Sequence, residues 1–108
     1  MGETISALYD VILKRKTEGE EGSYTKYLFE KGTDKILKKV GEECTEVIIS
    51  CKDDNKEEQI NEICDLAYHV LVLMAQLGIS VEEVSAELDT RKNKINNFKG
   101  ERKPVDNV

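Results

Sequence analysis

The chain has 108 residues, enough for one domain with one modest core. Charged residues make up 35% and hydrophobic ones 39%, an ordinary balance for a soluble, charged, helical protein. The net charge of −6 argues against non-specific binding to nucleic acid or an anionic membrane, but allows a small anionic ligand where a cation and local lysines reverse the sign.

Met1-Gly2-Glu3-Thr4 lacks a basic n-region and does not read as a signal peptide. Strand-like alternation is absent over any useful length, and helical periodicity is clear. Proline occurs once, at Pro104, so nothing before it is forced out of helix. A first helix is expected from about Glu3 to Lys16, with Ile5, Leu8, Ile12 and Tyr9 on its apolar stripe. Glu18 to Gly22 reads as a polar loop. Ser23 can cap a short helix through Tyr24, Tyr27, Leu28 and Phe29, ended by Gly32. Thr33 is the N-cap candidate of a longer helix carrying Ile36, Leu37, Val40, Cys44, Val47, Ile48 and Cys51 at spacings of three and four. Gly41 inside it costs about 1 kcal/mol relative to Ala. Tight helix packing and room for a ligand both account for it.

Asp53-Asp54-Asn55 ends that helix, and Asn55 with Glu58 reads as a capping box for the next. This third long helix runs to Leu77, with Gly78 closing it. Ser80 and Glu83 form a capping box for a last helix through Val81, Val84 and Leu88. From about residue 92 to 108 the chain is polar, a tail expected to be flexible unless it covers a site. The expected fold is therefore all-α, a bundle of four to five helices in a single domain over residues 1–108. The helix from Ile63 to Leu77 is apolar nearly all round, which a single small chain cannot bury on both sides. We expect it to pack on its own chain and on a partner copy, giving at least a homodimer. The apolar run Leu66–Ala75 is too short to span a bilayer.

Three cysteines, Cys44, Cys51 and Cys64, form no C-x-x-C pair, and His69 is the sole histidine. A structural zinc site is not expected, and the cysteines are read as core residues in a reducing, cytoplasmic protein.

Two acid pairs stand out. Glu43 and Glu46 are three apart, as are Glu62 and Asp65, so each pair shares a helix face. Asp65 opens a long apolar run, where a carboxylate is costly unless solvated, paired or bound to a metal. Four carboxylates at one point repel strongly, by about 3 kcal/mol for each pair of charges 5 Å apart at an effective dielectric near 20. Convergence therefore calls for a cation, and oxygen ligands suit Mg²⁺ or Mn²⁺ better than zinc. The alternative is a solvated helix face neutralised by Lys35, Lys38 and Lys39. Glu42 fits that alternative best. His69, one turn after Asp65, is a hydrogen-bond partner or a support for a metal ligand. Mg²⁺ on convergent carboxylates most often handles phosphates.

Glu-x-x-Glu followed by Glu-x-x-Asp on successive helices resembles the MazG-type all-α nucleoside triphosphate pyrophosphohydrolases. Ser23-Tyr24-Thr25, Leu28-Phe29, Gly32, Lys35-Ile36, Lys39-Val40-Gly41-Glu42-Glu43 and Tyr68-His69 narrow the resemblance to the phosphoribosyl-ATP pyrophosphohydrolase family, over roughly Leu8 to Arg91. The resemblance implies Mg-dependent hydrolysis of phosphoribosyl-ATP to phosphoribosyl-AMP and pyrophosphate, the second step of histidine biosynthesis. It implies Glu43, Glu46, Glu62 and Asp65 as metal ligands and catalytic carboxylates, one of them the general base. It implies Glu42 and His69 as supporting residues. Lys39, Lys35, Ser23, Tyr24, Thr25 and Arg91 become candidates for substrate contact. Helix capping remains an alternative for Ser23, and helix-surface charge for Lys35 and Arg91. A cyclohydrolase, fused to this domain in some organisms, is expected on a separate protein. A nucleotide-pool pyrophosphohydrolase and a non-catalytic helical module remain the other readings.

Overall fold

The structure, a computed structural model, describes residues 1–93. Five helices follow one another: α1 (Gly2–Glu18), α2 (Tyr24–Lys31), α3 (Thr33–Ser50), α4 (Lys56–Leu77) and α5 (Val81–Lys92). No strand occurs among the described residues, so the chain is an all-α bundle. Helix α5 extends through Lys92, and the rest of the expected tail lies outside the described residues.

The local signals act largely as expected. The Ser23 hydroxyl accepts from the Lys26 N–H at 3.3 Å, and Asn55 accepts from the Glu58 N–H at 3.1 Å. Ser80 and Glu83 form both halves of a capping box, at 3.1 and 2.9 Å. Those bonds hold the Glu83 carboxyl below its usual pKa, the backbone bond first. Thr33 differs from expectation. Gly32, at φ 94°, takes the N-cap position and breaks the chain one residue earlier. The Thr33 hydroxyl instead accepts from Gln76 Nε2 on α4 at 3.0 Å.

Helices α3 and α4 form a hairpin packed along its length, with α1 and α2 closing one end. The core is Tyr9 and Ile12 from α1, Leu28 from α2, Ile36 from α3, and Leu71, Val72, Met74 and Ala75 from α4. Ile12, Leu28, Ile36 and Val72 are fully buried. Burying a Val, Leu or Ile side chain contributes about 1.5–3 kcal/mol. The Tyr9 hydroxyl donates to the Ile79 carbonyl at 2.5 Å, tying α1 to the turn after α4. The molecule measures 49 × 34 × 33 Å.

The core lies at the α1–α2 end of the hairpin, and its far end is bare. Ile48, Ile49, Ile60 and Ile63 are exposed there. The cysteines go with them: Cys44, Cys51 and Cys64 are exposed, not core. Of the apolar stripe on α3, Ile36 is fully buried while Leu37 and Ile48 are exposed, so periodicity identified the stripe but not what covers it. A Cβ at Gly41 would meet nothing within 4 Å, so close packing within the chain does not explain this glycine. Helix α4 as a whole is long and apolar enough to cross a membrane, although the run Leu66–Ala75 alone is not. In this fold it is the central helix of the bundle, contacting α1 and α3.

Candidate active site

Helix α3 presents Glu43, and α4, across the hairpin seam, presents Glu62 and Asp65. Each offers one carboxylate oxygen, and the three lie within 4.8 Å of one another. Spacing i,i+3 puts Glu62 and Asp65 on one face of α4, and the hairpin sets that face against Glu43. Glu46 is outside this three-oxygen group, one turn further along α3 and exposed. Its charge still reaches Glu62. Desolvation, then repulsion from Asp65, Glu46, Glu43 and Glu58, raises the Glu62 pKa above its ordinary 4.5.

This shift runs opposite to that of a salt-bridged acid. In the cation-free fold Glu62 holds its proton to higher pH than in the unfolded chain. The contribution of Glu62 to stability is therefore fully present below the unfolded value of 4.5 and is lost as pH rises through the raised folded value. We expect the melting temperature in EDTA to fall across that interval, and Glu62→Gln to remove this component. An unchanged pH profile in Glu62→Gln would refute it.

Lys39 lies above the cluster, its Nζ 3.5 Å from Glu43 and 3.6 Å from Glu42. Burial alone would lower its pKa, but Tyr24, Glu42 and Glu43 outweigh burial and raise it, so Lys39 stays charged. Glu42, nearly half exposed, pairs with Lys39 alone among the described residues. Lys35 lies one turn earlier on α3 and has no ion pair within 4 Å among the described residues.

Behind Asp65 runs a chain of hydrogen bonds. His69 is buried. Its Nδ1–H donates to the Asp65 main-chain carbonyl at 2.7 Å, not to the carboxylate. In the neutral ring Nε2 then accepts from the Tyr24 hydroxyl at 2.8 Å. His69 thus fixes Tyr24, while the Asp65 side chain remains free to face the cluster. Burial first, and Glu43 and Glu42 after it, raise the Tyr24 pKa despite Lys39, keeping the phenol protonated. Thr25, buried, bonds the Tyr68 hydroxyl at 2.5 Å, and Tyr68 accepts from Arg15 Nη1 at 2.8 Å. Arg15 was not legible as a site residue: it reaches Tyr68 across a separation of 53 residues, and only the tertiary fold makes that pair. Ser23 acts as the α2 cap at this side of the molecule. Arg91 is not brought to the cluster. It pairs with Glu87 at 3.2 Å on the exposed face of α5.

Three convergent carboxylate oxygens with no thiolate or imidazole among them form a donor set for a hard divalent cation. An adjacent lysine and tyrosine give the site the chemistry to receive a phosphate. Fold and site together define an all-α hairpin bundle with a carboxylate cluster across its seam.

The profile of the phosphoribosyl-ATP pyrophosphohydrolase family matches residues 5–92. The chain is 60% identical over 106 residues to a phosphoribosyl-ATP pyrophosphatase of Clostridium acetobutylicum, covering 98% of this chain and 96% of that one. It is 52% identical over 106 residues to that of Clostridium novyi, with the same coverage of both chains. It is 53% identical over 104 residues to that of Listeria welshimeri, covering 96% of this chain and 99% of the relative. The chain belongs to the phosphoribosyl-ATP pyrophosphohydrolase family and is an enzyme of that family.

Proposed function

We propose that this enzyme hydrolyses phosphoribosyl-ATP to phosphoribosyl-AMP and pyrophosphate, the second step of histidine biosynthesis, with Mg²⁺ (or Mn²⁺ in its place) as cofactor. The convergence of Glu43, Glu62 and Asp65 from two helices to within 4.8 Å carries this reading. These three would hold the cation, with Glu46 beside them. When bound, the cation neutralises charge on the phosphates and on the departing pyrophosphate. Lys39 binds a phosphate oxygen from the Glu43 side. Tyr24, held by His69, offers its hydroxyl to the substrate, and the Ser23–Thr25 segment shapes the wall on which it lies. Glu46 is the carboxylate left to take the proton of the water that attacks between the α- and β-phosphates.

A biosynthetic reaction on a nucleotide substrate supports a cytoplasmic enzyme. The exposed apolar faces of α3 and α4 support a homodimer, with a second copy covering what a single chain leaves bare. Sedimentation at micromolar concentration reads this directly, and a monomer there removes the dimer.

Turnover of phosphoribosyl-ATP, measured beside ATP, dUTP and dCTP with Mg²⁺ present, tests the substrate. Phosphoribosyl-ATP is expected to be preferred by a wide margin. Equal or faster turnover of a common triphosphate makes the chain a nucleotide-pool pyrophosphohydrolase instead. A melting temperature that ignores Mg²⁺, with no turnover of any of them, returns the chain to a non-catalytic helical module.

A further inference from the structure

The last turn of α1 carries two successive cations, Arg15 and Lys16, and each reaches both α2 and α4. Arg15 Nη1 donates to the Tyr68 hydroxyl on α4 at 2.8 Å, and that hydroxyl lies 2.5 Å from Thr25 Oγ1 on α2. Lys16 Nζ donates to the Ala75 carbonyl on α4 at 3.4 Å and stands 5.4 Å from the centroid of the Phe29 ring on α2. A Cβ at Gly19 would collide with the Arg15 carbonyl and crowd Cβ of Lys26, so the glycine lets the end of α1 close onto α2. Arg15 itself is exposed and makes no ion pair within 4 Å among the described residues. Its side-chain bond is to a neutral phenol instead.

A guanidinium donates and never accepts. Tyr68 therefore accepts from Arg15, and its own proton goes to Thr25 Oγ1, the acceptor it meets among the described residues. Thr25 is 2% exposed, so its hydroxyl is used inside the fold and not on a ligand. The residue before it is Tyr24, bound to His69, which follows Tyr68 on α4. Two successive residues of α2 are thus latched to two successive residues of α4. One latch ends at buried His69 and the Asp65 carbonyl. The other ends at an exposed arginine on a third helix. Arg15 makes no bond to the clustered carboxylates among the described residues. What it governs is where the first turn of α2 sits.

We propose that Arg15 is a positioning residue of the reaction: through Tyr68 and Thr25 it fixes the first turn of α2, and so the Tyr24 hydroxyl, relative to the carboxylates on α3 and α4. The proposal rests on the substrate reading above and deepens it with a residue that no motif marked. The charge of Arg15 makes the chain effective. A hydrogen bond to a charged group contributes more than one between neutral groups, and a phenol polarised by a guanidinium donates more strongly to Thr25. Lys16 and fully buried Leu28 hold α2 independently, so losing Arg15 loosens the wall beside Tyr24 without undocking the helix.

The test uses the full chain with Mg²⁺ and compares Arg15→Ala, Arg15→Lys, Tyr68→Phe and the double variant Arg15→Ala/Tyr68→Phe with wild type. Arg15→Ala is expected to raise KM for phosphoribosyl-ATP roughly tenfold, as loss of one charged hydrogen bond does, with kcat little changed. Tyr68→Phe does the same, and the double variant is no worse than either single one, because both break one chain. Arg15→Lys restores a donor and recovers most of the loss. The melting temperature of Arg15→Ala and its inhibition constant for inorganic pyrophosphate stay at the wild-type values. An unchanged KM in Arg15→Ala overturns the proposal, as do losses that multiply in the double variant. A weakened pyrophosphate constant in Arg15→Ala also overturns it, since Arg15 would then hold a phosphate directly. His69, the sole histidine, gives a readout apart from turnover. Its ring-nitrogen resonances at fixed pH are expected to shift in Arg15→Ala and to return in Arg15→Lys, although Arg15 bonds Tyr68 and not the imidazole. If wild type fails to turn over phosphoribosyl-ATP, the substrate reading falls and this signal still tests the latch: a His69 spectrum unmoved by Arg15→Ala overturns it.

Discussion

Replacing Asp65 with asparagine is expected to lower hydrolysis of phosphoribosyl-ATP about a thousandfold, yet leave the helices intact. A cation that polarises a phosphate contributes several kcal/mol to catalysis, and each 1.36 kcal/mol is a factor of about ten in rate. The amide keeps one oxygen but not the charge that makes three convergent carboxylates a cation site. The supporting hydrogen bond survives, because His69 binds the main-chain carbonyl of residue 65. Without the cation, Glu43, Glu62 and Asp65 repel one another across less than 4.8 Å. Asp65→Asn should therefore melt no lower than wild type in EDTA, while lacking the upward shift expected of wild type in Mg²⁺. Rates measured alongside circular dichroism with and without Mg²⁺ decide it. Near-normal turnover in this variant would sink the metal-site reading.

Changing Val70 to aspartate is expected to split the proposed homodimer. A groove of about 990 Å³ opens between α1, α4 and α5, with Ile5, Ile63, Ala67, Val70, Val84 and Leu88 on its walls. An apolar recess of this kind, continuous with a bare helix end, marks an interaction surface. In a twofold dimer each copy presents the same patch, so Val70→Asp introduces two carboxylates into one interface. An unpaired buried charge costs about 3–5 kcal/mol, and 1.4 kcal/mol is tenfold in affinity. The dissociation constant should rise at least about a hundredfold. The single chain tolerates the change, because Val70 is 37% exposed there. A Val70→Asp chain that sediments as wild-type dimer would place the interface elsewhere.

What the sequence made legible follows the range of the forces involved. Caps and periodicities act within one or two helical turns. Ser23, Asn55, Gly78 and the Ser80–Glu83 box therefore mark their helix ends without reference to the rest of the chain. The acid pairs were legible for the same reason, since i,i+3 spacing fixes a shared face. Which acids meet across the hairpin was not. The α3–α4 register brings Glu43 to Glu62 and Asp65 and leaves Glu46 a turn away. Thr33 failed as a cap because the positive φ of Gly32 pre-empted it. The cysteines were misplaced because apolar spacing shows that a stripe exists but not whether one chain can cover it. The links Tyr9 to Ile79, Thr25 to Tyr68 and Arg15 to Tyr68 join residues far apart in sequence and leave no local trace.

All three clustered carboxylates stand on one hairpin, joined by the short turn between Ser50 and Lys56. Closing so short a loop costs little chain entropy, and contacts local in sequence form early in folding. Glu43, Glu62 and Asp65 can thus come together before α1 and α5 need to dock. The cation proposed for this cluster would act on folding as a clip on the first hairpin to form, and its concentration would then set the refolding rate as well as the depth of the native well.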